Sequence, residues 1–146
     1  MNDIAPHTEA CVLQLFESAA TLERQLDRGL SSTRGISFSE YRLLTVTAGT
    51  EANGIPRIDL AHAVGLTPSA VTRALKPLEK LGYVTTEKSE RDARQSRAVI
   101  TAAGRELLND AQAVMRDSLR TLPLNKLSQQ QVSDFRTRLA ELRSTR

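Results

Sequence analysis

The stretch "GLTPSAVTRALKPLEKLGYV", residues 65–84, decides the fold. Gly65 has the place of a glycine just past a helix C-terminus, and Thr67 follows as the cap of the next helix, because its hydroxyl can accept from the first free N–H groups. Pro68 suits the first turn of that helix. The apolar spacing then predicts a helix over 68–81. Two helices separated by such a short glycine turn are typical of a helix-turn-helix.

Two further helices are predicted ahead of this turn. "SFSE" at 37–40 has the form of a capping box and starts a helix that runs to about Thr47. "GTEANGIP" at 49–56 is interpreted as a loop, and its proline leads into a short helix over "RIDLAHAVG" at 57–65. This last helix is the first half of the helix-turn-helix.

A hairpin is predicted directly after the helix-turn-helix. "YVTTEK" at 83–88 and "RAVIT" at 97–101 are rich in β-branched residues, and the polar "SERDARQS" at 89–96 separates them. The predicted fold is therefore mainly α with a small β-hairpin wing, a winged helix-turn-helix.

Long amphipathic helices flank this core. One has its apolar line from Val12 to Leu30, and another is capped by Thr101 and broken at Pro123, before a last helix that opens at Ser128. Their apolar residues recur in steps of three and four and form narrow stripes that suit packing between helices, within one chain or between two. At 146 residues the whole chain, 1–146, fits a single domain.

Positive charge is concentrated in one part of the chain. The net charge is +3, but residues 67–105 hold eight Lys or Arg against four acids, a balance of +4 that leaves −1 for the rest. Such a confined excess favours a face that binds a polyanion. An ordinary solvated surface is the alternative reading of the charge taken alone.

Several classes of function have no support in the sequence. Cys11 is the only cysteine, so no internal disulfide can form and a reducing, cytoplasmic location is expected. No apolar run approaches the roughly 20 residues that a membrane span needs, and no secretory signal is recognisable. His7 and His62 form no spaced ligand set, and no phosphate loop or nucleophile motif is present. We therefore expect no enzyme, cofactor, metal or membrane partner.

The helix over 68–81 carries polar side chains that its core packing does not need: Ser69, Thr72, Arg73 and Lys76. They fall within about two turns on roughly one side of the helix. A major groove is wide enough to admit such a helix, with these side chains facing the bases. Arg73 is the best candidate for bidentate contact with guanine, and Ser69 and Thr72 can contact bases or phosphate. The alternative is the solvated face of a structural helix.

The charged loop of the hairpin has a use beside such a helix. A hairpin there can reach the adjacent minor groove, where a narrow A·T-rich segment attracts arginine. Arg94 is placed for that insertion, and Asp92 can pair with its guanidinium and hold its direction. Phosphate neutralisation is expected of three more cations: Lys88, Arg91 and Arg97.

Residues 60–104 resemble the DNA-binding core of the MarR family of winged helix-turn-helix regulators. The motifs that carry the resemblance are "GLTPSAVTRAL", "LEKLGYV", the pair Asp92 and Arg94, and the closing segment from Thr101 to Gly104. The resemblance implies a homodimer that binds a pseudo-palindromic operator in double-stranded DNA, usually as a repressor released by a small molecule or by oxidation.

The same resemblance divides the chain and assigns its parts. The DNA-binding lobe would be about 36–104, with its recognition helix from Thr67 to Lys80 and its wing tip at Asp92 and Arg94. The helices over about 8–31 and 107–143 would form the dimer interface. A winged-helix module that binds a protein and not DNA is the alternative from another class.

The signal that the protein senses is left open by the sequence. Cys11 lies where the organic-hydroperoxide sensors of the family keep a reactive cysteine, and a helix N-terminus favours a thiolate. The accompanying tyrosines of that branch are missing from the helix that contains Cys11, and Tyr41 is the only nearby candidate in the helix that starts at "SFSE". The other trigger is an aromatic or phenolic acid, for which a cationic or hydroxyl anchor could come from Tyr41, Arg42 or His62.

Overall fold

The computed structural model describes residues 4–50, 52–88, 91 and 95–144. The elements in chain order are α1 (Thr8–Arg34), α2 (Phe38–Ala48), β1 (Ile55–Pro56), α3 (Arg57–Val64), α4 (Pro68–Lys80), β2 (Val84–Lys88), β3 (Ser96–Ile100), α5 (Ala102–Thr121), a short 3₁₀ helix (Pro123–Lys126) and α6 (Gln129–Arg143). The predicted class, mainly helical with a small β wing, is confirmed. Across the described residues no helix has the length and apolar character of a membrane span.

Local capping chemistry fixes where the helices begin. Ser37 Oγ accepts from the Glu40 N–H at 3.0 Å while the Glu40 carboxylate accepts from the Ser37 N–H at 2.9 Å, so the predicted capping box is present. Thr67 Oγ1 accepts from the Ala70 N–H at 3.2 Å at the start of α4. Gly65, with φ 70°, adopts the left-handed conformation that ends α3. The helix-turn-helix therefore forms as the sequence predicts.

The sheet has one strand more than the predicted hairpin. β3 lies in the middle and pairs antiparallel with β2 on one side and with β1 on the other. The interpretation of residues 49–56 as a loop was therefore wrong at its end, where Ile55 pairs with Ala98. A two-residue strand has no periodicity of its own, and Pro56 is tolerated because β1 is an edge strand.

We call the part from α2 to β3 the winged lobe, and α1, α5 and α6 the outer helices. The core joins this lobe to α1 and α5. Its largest fully buried apolar side chains come from α1, α2, α3, α4, β2 and α5: Leu30, Leu43, Leu44, Leu60, Leu75, Leu78, Leu107, Val71 and Val84. α1 takes part only through its C-terminal half, where Leu26 and Leu30 are buried, whereas Phe16 is 72% exposed. α6 has no buried residue within the described chain.

Polar contacts fix the winged lobe against the outer helices. Asp27 Oδ1 on α1 accepts from the Phe38 N–H at 2.6 Å, which adds a second cap to α2.

Gly104, in the first turn of α5, lies so close to the Tyr83 carbonyl that a Cβ would overlap it. This close approach explains a glycine in a helix, since the chain between α4 and β2 has to pass there.

Candidate nucleic-acid interface

The buried face of α4 determines which side chains it presents to solvent. Val71, Leu75 and Leu78 are at most 1% exposed and pack into the core. At about 100° per residue, the opposite face of the helix carries positions 69, 73, 76 and 80. Their side chains are all exposed and form what we call the recognition face: Ser69, Arg73, Lys76 and Lys80. Three cations and a hydroxyl thus point away from the protein along one line.

Thr72 does not share this position, although the sequence grouped it with the others. It is half-buried on the flank of α4, and its Oγ1 accepts from Arg57 Nη1 at 3.0 Å. Thr67 is exposed, but its Oγ1 is used in the helix cap. The role of Thr67 and Thr72 in DNA contact stays a prediction, and each has a structural bond as well.

Arg57 ties α3, α4 and β2 together and was missed by the sequence reasoning. Its Nη2 donates to Glu79 Oε1 at 2.8 Å and to Thr86 Oγ1 at 2.7 Å, and the Thr86 hydroxyl also donates to Glu79 Oε1. Together with the bond to Thr72, we call these contacts the Arg57 bridge. No local pattern could have revealed it, because its members lie 15, 22 and 29 residues away from Arg57 in the chain.

The two strands of the wing lead outward to its loop. β2 and β3 pair as far as Lys88 and Ser96, and the Lys88 side chain is exposed. Arg91 is exposed as well. Asp92 and Arg94, the predicted wing tip, lie outside the described residues, so their role stays a prediction.

Arg97 has a more structural environment than the sequence suggested. Its Nε donates to the Asn53 carbonyl at 2.9 Å and its Nη2 to the Gly54 carbonyl at 3.0 Å, and the residue is half-buried. The guanidinium therefore holds the segment that leads into β1. Its predicted role in phosphate neutralisation has to compete with these two bonds.

The predicted ligand anchors also have contacts within the fold. The Tyr41 ring stacks on Phe38 with a centroid separation of 6.4 Å. Arg42 Nη2 donates to the Val64 carbonyl at 2.7 Å and caps the end of α3. His62 is exposed, and its carbonyl accepts from Arg143 Nη2 at 2.9 Å.

Cys11 is a free, exposed thiol on the first turns of α1. It lines a groove of about 290 Å³ between α1 and α6, together with Gln14, Leu15, Ser18 and Phe135. In the part of the chain that the structure describes, no three His, Cys, Asp or Glu side chains form a group that could hold a metal ion.

Comparisons with known proteins agree with this geometry. The sequence model of the MarR family matches residues 34–95. The HTH-type transcriptional repressor Rv2887 of Mycobacterium tuberculosis is 29% identical over 130 residues, which are 89% of this chain and 91% of the relative.

Two solved structures share the fold over nearly the whole chain. Sco3205, a MarR family transcriptional regulator of Streptomyces coelicolor solved in complex with DNA, has a TM-score of 0.84 at 25% identity and is matched over 97% of this chain and 89% of its own. CouR of Rhodococcus jostii, solved with p-coumaroyl-CoA, has a TM-score of 0.82 at 19% identity and is matched over 98% of both chains.

The fold and its exposed basic helix define a winged helix-turn-helix protein. The family model that matches residues 34–95 and the similar structures are those of the MarR family of transcriptional regulators, which this chain resembles in sequence and in fold.

A first prediction concerns Arg97. Arg97→Ala should lower the free energy of unfolding by about 1–2 kcal/mol, because two charged hydrogen bonds to the backbone are lost. Urea unfolding measures this change, and a DNA titration at several salt concentrations should give the wild-type salt dependence. Lys88→Ala is the contrasting variant: it removes the same charge from an exposed site on the neighbouring strand, so it should leave stability unchanged but reduce the salt dependence as a predicted phosphate contact. A reduced salt dependence with unchanged stability in Arg97→Ala would instead make Arg97 a phosphate contact.

Proposed function

We propose that this protein is a MarR-family transcriptional regulator, a homodimeric repressor that binds a pseudo-palindromic operator in double-stranded DNA and is released by a small molecule or by oxidation. The observation that carries the proposal is the recognition face of α4, whose three cations lie opposite the buried side of the helix. A cationic helix presented in this way can enter a major groove with base edges and phosphates in reach.

The side chains of the recognition face divide the work of binding. Arg73 lies in the middle of the helix and offers the planar fork that matches guanine O6 and N7. Ser69 is one turn nearer to the N-terminus and can contact a base or a phosphate, while Lys76 and Lys80 neutralise phosphates. The complex of the similar regulator Sco3205 with DNA supports this mode of action.

The wing extends the contact beyond the major groove. In this proposal Arg94 enters the adjacent minor groove with Asp92 holding its direction, and Lys88 and Arg91 neutralise phosphates nearby. The exposed Lys88 side chain at the end of β2 supports this arrangement.

The second copy of the chain would cover the exposed apolar residues of the outer helices. On α1 these include Val12, Leu13 and Phe16, at 47%, 56% and 72% exposure. α6 exposes Val132, Phe135 and Leu142 and buries no residue within the described chain. Residues about 8–31 and 107–143 would thus form the dimerisation region beside a DNA-binding lobe of about 36–104. A twofold dimer would present its two α4 helices to successive major grooves, roughly 34–36 Å apart.

The signal for release from DNA would act either on the dimerisation region or at its boundary with the DNA-binding lobe. The Cys11 thiol is exposed beside Phe135 in the groove between α1 and α6, where oxidation would add polar atoms to an apolar contact. A small acid would instead find hydroxyl or cationic groups at Tyr41, Arg42 and His62, although Arg42 would have to give up its bond to Val64.

A winged-helix module that binds a protein partner remains the second candidate, because the fold alone does not require DNA. The cationic recognition face favours DNA. Binding that depends on salt and prefers particular sequences is the property that separates the two.

The second prediction tests the recognition face. Arg73→Ala should reduce discrimination at one operator position by about tenfold as well as weaken binding, because a bidentate base contact is lost. The measurement is a titration against a duplex selected by the wild-type protein and its single-base variants. Arg34→Ala is the control, since Arg34 forms an exposed ion pair with Asp110 and lies outside the recognition face, the wing and the proposed dimerisation region. Equal losses on all sequences would make Arg73 a phosphate contact.

The third prediction tests the dimer. Phe16→Glu should shift the protein from dimer toward monomer in sedimentation, because a charge would be buried against the second copy. Ile58→Glu alters a comparably exposed apolar residue, at 67%, on α3 outside the proposed interface and should stay dimeric. A wild-type mass for Phe16→Glu would exclude α1 from the interface.

The fourth prediction tests the two modes of release. Cys11→Ser should bind DNA like the wild type, and if oxidation is the signal, peroxide should release the wild type but not the variant. A thiol reductant should then restore DNA binding by the oxidised wild type. Release of Cys11→Ser by peroxide would exclude the thiol as the sensor, and an unresponsive wild type would leave the small-molecule signal.

A further inference from the structure

We infer that Arg57 is a positioning residue of the DNA interface, which sets sequence discrimination by α4 through Thr72 and Glu79 without touching DNA itself. The inference rests on the proposed function.

The Arg57 bridge fixes α4 at two points along its length. Thr72 and Glu79 are seven residues apart on one flank of the helix, a separation of about 10 Å along its axis. Arg57 Nη1 bonds to the first of them and Nη2 to the second. Two attachments at that distance resist both sliding and tilting of α4 against α3.

The same guanidinium also attaches the wing. Nη2 donates to Thr86 Oγ1 on β2 at 2.7 Å, and the Thr86 hydroxyl donates to Glu79. Recognition helix and wing are therefore held to a common group at the first residue of α3. Because major-groove and minor-groove contacts have to be in register along the DNA, this common attachment bears directly on operator choice.

Arg57 compensates a negative charge that would otherwise oppose DNA. Glu79 is the only acidic residue of α4, and its side chain is 29% exposed. Its ion pair with Arg57, whose side chain is 17% exposed, is more shielded than the other ion pairs between described residues. Without Arg57 an uncompensated carboxylate would lie on the helix that approaches the phosphates.

The bond from Arg57 leaves the Thr72 hydroxyl free to act as a hydrogen-bond donor. A hydroxyl has one hydrogen and two lone pairs, and Arg57 occupies one of the lone pairs. Among the described residues Thr72 Oγ1 donates to no protein acceptor, so its hydrogen is left for an outside one. Thr72 is thereby directed toward acceptors such as purine N7, guanine O6, thymine O4 or phosphate oxygen.

Direct contact of Arg57 with DNA does not fit its surroundings. Three of the five guanidinium N–H groups donate within the protein, the Nε atom is buried without an acceptor in the described chain, and the side chain is only 17% exposed. The side chain is thus committed to the fold, and its influence on DNA has to pass through the residues it holds.

The experiment compares Arg57→Met and Arg57→Lys with the wild type on one probe, the duplex that the wild type enriches most from a random-sequence pool, and on its single-base variants. Urea unfolding confirms folding in parallel. Arg57→Met should lose about tenfold in discrimination between the probe and scrambled DNA, with the salt dependence of the wild type because no phosphate contact is removed. Arg57→Lys should lose less, since it keeps the charge beside Glu79.

Variants of the partner residues keep the test decisive if Arg57→Met does not fold. Thr72→Val retains the shape but removes the hydroxyl. It should reduce discrimination at one operator position, which Arg57→Met should also relax, whereas Thr72→Ser should keep discrimination there. Glu79→Gln combined with Arg57→Met should recover affinity that Arg57→Met alone has lost, because the uncompensated carboxylate is gone. Arg34→Ala serves as the charge control, since Arg34, in its exposed ion pair with Asp110, lies outside both the recognition face and the proposed dimerisation region.

Three outcomes would overturn the inference. Unchanged discrimination in Arg57→Met, or in Thr72→Val, would leave the bridge a structural contact only. A salt dependence lower by about one ion would make Arg57 a direct phosphate contact. A wild type that enriches no sequence from the pool would overturn the proposed function itself and this inference with it, whereas the first two outcomes leave the proposed function standing.

Discussion

The burial of Val71, Leu75 and Leu78 is the constraint on which the interface depends. Each of these side chains contributes about 1.5–3 kcal/mol when it is fully buried. Rotating α4 by even one residue position would expose part of this surface, so the core fixes the direction in which the opposite face points. Ser69, Arg73, Lys76 and Lys80 are presented together because they have no place in the core.

Apolar packing sets the rotation of α4 but leaves its alignment with the wing less well determined. Hydrophobic contact is non-directional, whereas hydrogen bonds to a planar guanidinium require particular distances and angles. Arg57 supplies that direction on the flank of the helix, between the buried face and the exposed one. Core and bridge are therefore complementary: the first gives most of the stability, and the second gives the geometry.

The sequence predicted those features whose causes are local. Ser37 with Glu40 and the Thr67 cap involve residues three apart, so their chemistry can be read along the chain. β1 and the Arg57 bridge were missed because the partners of Ile55 and Arg57 lie elsewhere in the sequence. Thr72 was grouped with the exposed side chains for the same reason: helical spacing alone does not reveal which neighbour covers a flank.

The end of α3 connects the two halves of the proposed function. Its last carbonyls carry partial negative charge, and two arginines satisfy them: Arg42 bonds to Val64, and Arg143 bonds to His62. Arg143 is the last residue of α6, the helix that also lines the groove beside Cys11. A ligand or an oxidised thiol that displaces α6 would thus loosen α3 immediately before Gly65, and α4 begins only three residues after that glycine. In the proposed function, the helix that enters the DNA therefore lies one short turn away from the part of α3 that the proposed dimerisation region holds.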